Sequence, residues 1–174
     1  MRKNETRLYN VLLPIWLLLV FPTAWLVVLP ANFLIDSAVL LLAMRRAGMT
    51  QLRAGWKACI LRVWLLGFLC DFAGAAFLLL CQFIYGEGAF YDWFYANVTV
   101  PVMSNPFGSV WGVLAVLTAV LISGALICAA DRRWAFRGLS APDEVKKSLA
   151  LWLACVTAPW TFFLPSQWFW GNTF

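Results

Sequence analysis

The sequence predicts an all-α, multi-pass membrane helix bundle, and three observations carry that prediction. Hydrophobic residues make up 63% of the chain and charged ones only 12%, a balance that suits lipid rather than water as the main solvent. The apolar residues gather into long uncharged runs, which cross a bilayer as helices because the hydrocarbon cannot satisfy an open backbone. All 13 Lys and Arg residues fall in the N-terminus or in two short connections, so the net charge of +5 is a topology signal and not a nucleic-acid footprint. The 174 residues read as a single integral membrane domain.

About five spans are expected, near 11–29, 32–44, 63–85, 107–130 and 148–165. The first follows Arg2, Lys3, Glu5 and Arg7, and no small-residue cleavage site follows a short apolar region, so it reads as a span and not as a cleaved signal. Residues 11–44 are too long for one straight crossing: 34 residues would extend ~51 Å against ~30 Å of hydrocarbon. A turn at Leu29-Pro30-Ala31-Asn32 resolves the excess, with Pro30 unable to continue the hydrogen-bond ladder and Asn32 able to cap the next helix. The first two helices are therefore expected to form a tight Pro-broken hairpin.

The next connection carries Arg45, Arg46, Arg53, Lys57 and Arg62 with no acid, and Trp56 and Trp64 suit the membrane interface. It reads as a cytoplasmic loop and interfacial turn whose cations are candidate lipid-headgroup contacts. In the third span Gly67, Asp71 and Gly74 share one face, a groove of small residues where another helix can approach. Residues 86–106 hold Phe90-Tyr91-Asp92-Trp93-Phe94-Tyr95, either an interfacial aromatic belt or a lid over a ligand. Gly108 and Gly112 begin a second helix-packing stripe in the fourth span. Asp131-Arg132-Arg133 then returns the chain to the basic side, and Pro142-Asp143-Glu144 starts the last helix, which Pro159 should kink before an anchor at Gln167-Trp168-Phe169-Trp170. This ordering places the N-terminus in the cytoplasm and the C-terminus outside, in a bacterial cytoplasmic membrane.

Two acids interrupt this apolar plan. Asp36 lies nine residues before Arg45 and Asp71 nine residues after Arg62, so both are expected ~13.5 Å inward from a basic anchor on the same side. A charge at that depth costs a few kcal/mol on insertion scales, so an acid there is protonated, paired, or facing a polar cavity. Asp36 and Asp71, with Asn32 and Ser37 beside Asp36, form the candidate polar intramembrane site. No catalytic residue is assigned. No cofactor or metal is expected: the chain has no His, and Cys59, Cys70, Cys81, Cys128 and Cys155 show no CxxC spacing and read as reduced packing thiols.

Phosphate loops, HExxH and GxSxG patterns are missing. Three functions fit what remains. The leading expectation is an accessory or assembly subunit of a membrane complex, in which the acids join helices by hydrogen bonds. The second is a proton- or cation-linked transport or channel component using the Asp36/Asp71 site. The third is an intramembrane aspartyl protease, with one acid activating water and the other protonated. The expected partners are the lipid bilayer, a second copy or another membrane protein, and a small cation or proton, with no nucleic acid.

Overall fold

The computed structural model describes residues 22–166 and Trp168. The 11–21 part of the first expected span, the N-terminal charges, and most of the C-terminal anchor lie outside the described residues, as do both termini. The described residues are helical, with no strand among them. Three helices are long and apolar enough to cross a bilayer: α1 (Pro22–Arg46), α2 (Leu52–Gln82), and α5 (Val110–Arg133) with its continuation to Gly138. This supports an integral membrane protein.

The hairpin expected at Leu29–Asn32 is not there: α1 runs through Pro30 as one helix of 25 residues. A proline withholds one backbone donor, whereas a turn inside the apolar layer would strand several carbonyls, so a continuous helix is the lesser penalty if neighbours hold it. The neighbour is α2. Before Pro30, Trp25 packs edge-on to Phe68 and Phe72 at 5.5 and 6.0 Å. After it, Phe33 packs edge-on to Trp56 and Trp64 at 6.2 and 5.6 Å. Between them, the Trp64 indole donates to the Leu29 carbonyl at 2.9 Å. These contacts set α1 antiparallel to α2 on both sides of the proline. The helix ends where Met49 N–H reaches back to the Met44 carbonyl and Gly48 N–H to that of Arg45, a closure that needs the left-handed φ of +72° only Gly48 takes at little strain.

α2 also begins earlier than the expected third span. It starts at Leu52, so Arg53, Lys57 and Arg62 ride its first turns instead of a separate interfacial segment. Residues 89–103 then make α3 (Ala89–Phe94), a π-helical turn (Tyr95–Thr99) and α4 (Val100–Met103). Pro101 explains the widened turn: it has no N–H to give the Asn97 carbonyl, and Val100 N–H bonds Tyr95 instead. Trp93 packs on Trp111 at 5.3 Å, tying this segment to the start of α5.

The last segment is α6 (Asp143–Val156), a break at Thr157–Pro159, and a 3-10 turn at Trp160–Phe163. It follows α5 from end to end: Lys146 and Lys147 lie with Arg132 and Arg133, Phe163 stacks on Phe107 at 5.9 Å, and Ser166 N–H donates to the Ser104 carbonyl at 2.8 Å. Of the expected 148–165 span, only residues 148–156 belong to α6, and the remainder is broken. α1 contacts α2 and α6, and α5 contacts the same two, so the four segments close a ring.

The core falls into two parts. At the basic end Leu40, Met44, Cys59, Phe136, Leu149 and Leu153 are buried together. At the other end Phe68, Leu78, Val102, Val116 and Phe162 are. Asp36, Asp71, Ser123, Asp131 and Ser166 are buried polar residues.

Candidate functional site

Asp36 occupies the inner face of α1 one turn above Leu40, and its carboxylate lies against Gly67 of α2: a Cβ there would stand 3.7 Å from Asp36 Oδ2. Asp71 follows one helical turn after Gly67. Both acids and Asn32 line one cavity of about 390 Å³ together with Gly67, Phe68 and residues 156–162. Both carboxylates are within electrostatic range of each other. Asp71 Oδ1 is buried without a hydrogen-bond partner among the described residues. Among the described residues, no Lys or Arg lines the cavity.

The third wall, after α1 and α2, is the break after α6. Pro159 cannot donate to the Cys155 carbonyl, and the Trp160 indole takes that acceptor at 3.0 Å. Thr157 closes the helix by donating its hydroxyl to the Leu153 carbonyl at 2.9 Å, and the same side chain lies beside Asp36. The broken backbone adjoins the cavity, with Ala158 and Pro159 buried by protein.

The other sequence-predicted residues go elsewhere. Ser37 does not line the cavity, and its hydroxyl is buried without a partner among the described residues. Gly74 is where α2 meets α5: a Cβ would run into Ser123 Oγ and lie 2.7 Å from the Ala119 carbonyl. Gly112 has Pro101 and the Pro106 carbonyl in the same role, while Gly108 faces open space. Arg45, Arg46, Arg53, Lys57 and Arg62 are exposed at the basic ends of α1 and α2, with the Arg46 guanidinium 4.9 Å over the Trp152 ring. No residue of 86–106 lines the cavity, so the aromatic segment does not roof it.

Sequence reasoning missed Asp131. Placed next to Arg132 and Arg133, it reads as part of the basic connection, yet it is 0% exposed, and neither carboxylate oxygen has a hydrogen-bond partner among the described residues. It lies within electrostatic range of Asp36, Cys59 and Cys70. Its signal was helical phase: counting back from Asp131 by four, four and three reaches Ile127, Ser123 and Val120, all on the buried face of α5.

The three helices long and apolar enough to cross a bilayer, and the broken segment, thus each bring a polar group inward: Asp36, Asp71, Asp131 and Thr157. No cluster of three or more Asp, Glu, Cys or His side chains suited to a metal ion occurs among the described residues. No family model, no curated protein and no solved structure matches this chain.

Proposed function

We propose that this protein is a proton- or cation-linked transport or channel component whose binding site is the Asp36/Asp71 cavity. The observation that carries this reading is that acids from two different helices and the interrupted end of a third segment line one cavity. A joint made only to hold helices together has no use for such a space, since hydrogen-bonded acids stabilise best when packed shut. Acids beside broken helices are the arrangement by which carriers bind and release charge within the membrane. Asp36 and Asp71 bind the cation or proton, Thr157 and Asn32 supply neutral oxygens beside them, and the basic ends of the helices face the cytoplasm.

A second reading, an accessory or assembly subunit, draws on α1, whose Leu26 and Leu34 remain 80% and 67% exposed and offer a face to another membrane protein. Reconstitution separates the two. In proteoliposomes with a pH-sensitive dye inside, the protein should move protons or exchange them for a cation, and Asp36→Asn or Asp71→Asn should abolish the flux while keeping the fold. If the parent protein is silent and both variants copurify normally with a membrane partner, the accessory reading replaces the transport one.

A further inference from the structure

We propose that the acid cavity takes a small lipophilic organic ammonium ion that enters sideways from the bilayer between α1 and the broken segment, seating its charged head on Asp36 and Asp71. This rests on reading the cavity as a binding site and goes further by naming the ligand class and its route.

The route follows from which lining residues are exposed. Val27, Ala31 and Ile35 form one strip of α1 at spacings of four, and Val27 and Ile35 are 74% and 51% exposed. Across from them Val156 and Trp160 are 45% and 49% exposed. Asp36 and Asp71, deeper in the cavity, are each 7% exposed. Thr161 is an exposed polar residue of the same lining, so the mouth is mainly apolar and the floor is acidic. Ile35 lies 11 residues, ~16 Å, from Arg46 at the basic end of α1, and Val27 lies 19 residues, ~28 Å, from it. A mouth at those levels of a membrane-crossing helix opens onto acyl chains and not onto either aqueous face, so whatever uses it must dissolve in the membrane.

The head group follows from charge. Among the described residues no Lys or Arg lines the cavity and Asp71 Oδ1 has no hydrogen-bond partner, so the two carboxyl groups favour a cation over an anion and Asp71 Oδ1 is an acceptor open to a donor. The body follows from size and lining. A volume of about 390 Å³ far exceeds a bare inorganic ion and falls within the range of small-molecule sites. Phe68, Trp160 and Phe162 provide apolar and aromatic surface for an organic body, with ring faces that tolerate a nearby cation.

The test uses the full chain in lipid nanodiscs and equilibrium dialysis of three probes that share one body: phenylbutylammonium, phenylbutanol and phenylbutyrate, each corrected for partition into empty discs. The ammonium should bind saturably, once per chain, and roughly tenfold or more tighter than the alcohol, the difference a charge-assisted hydrogen bond supplies, with the carboxylate weakest. Asp71→Asn should remove that preference. Should Asp71→Asn not fold, Ile35→Trp at the rim should weaken ammonium binding, while Leu65→Trp on an exposed face of α2 should not. Equal binding of ammonium and alcohol overturns the proposal and leaves an apolar cleft for lipid. So does the absence of saturable binding in folded parent protein, as when another part of the chain fills the cavity. The underlying reading is scored separately: if proteoliposomes show Asp36-dependent flux of protons or inorganic cations while the ammonium does not bind, the ligand class falls and the transport reading stands.

Discussion

Asp36 Oδ2 rests over the bare backbone of Gly67, so that a Cβ at residue 67 would meet it at an ordinary 3.7 Å, whereas a Cβ at Gly74, two turns along the same helix, would be driven into Ser123 and the Ala119 carbonyl. The two glycines therefore do different things. Gly67 keeps space beside an acid; Gly74 lets α2 and α5 touch. Gly67→Ala is expected to shift stability by less than about 1 kcal/mol, and Gly74→Ala to lose ~1–3 kcal/mol as an overpacked contact. Thermal unfolding in detergent reads both, and equal losses at the two sites would contradict this division.

The pairing of α1 with α2 through Pro30 can be tested by chemistry at the same place. With the five native cysteines replaced, Asp36→Cys combined with Gly67→Cys should cross-link under mild oxidant or with a short bifunctional reagent, because a Cβ at residue 67 stands 3.7 Å from Asp36 Oδ2. Leu34→Cys, exposed on another face of α1, combined with Gly67→Cys should remain reduced. A bond in the second pair and not the first would mean that α1 presents a different face.

Asp131 is fully buried with neither oxygen partnered among the described residues, a costly state for an acid that serves only packing. Asp131→Asn should leave the melting temperature within about 3 °C of the parent, since the replacement is isosteric and Asp131 has no hydrogen bond to lose among the described residues. Within electrostatic range of Asp36, it should also alter the pH dependence of proton flux. A collapse in stability with unaltered flux would make Asp131 a structural residue.

The broken segment from Asp143 onward runs the length of α5, which sets Ser140 and Trp168 at opposite ends of the bundle. Both are exposed. Cysteines introduced at these positions should react with a membrane-impermeant maleimide from opposite sides of sealed vesicles. Labelling from the same side would show that the segment turns back within the membrane.

Much of the architecture was legible because lipid restricts a chain to few solutions. Long uncharged runs bounded by Arg and Lys imply helices crossing a bilayer, and α1, α2 and α5 each end or begin at such cations. The acids stood out for the same reason: a carboxyl group in an apolar run is an exception that composition exposes. The break at Pro159 was marked by a residue without a donor. Pro30 carried the same mark and the opposite outcome. A proline reports a missing hydrogen bond, and whether the chain turns there depends on what lies beside it, which for α1 is Trp64, Phe68 and Phe72 of a helix more than 30 residues away.

The sequence by itself determined the solvent, the helical class, the basic end of the bundle and the identity of Asp36, Asp71 and Asn32 as polar intruders, because each follows from residue type and spacing along one segment. Tertiary structure alone decided that these three share a cavity, that Thr157 and the broken backbone close it, and that Asp131 faces inward despite its arginine neighbours. Those facts depend on the relative rotation and depth of separate helices. Rotation and depth are set by ring contacts and close glycine approaches between residues far apart in the chain, and local pattern holds no record of which distant face will be met.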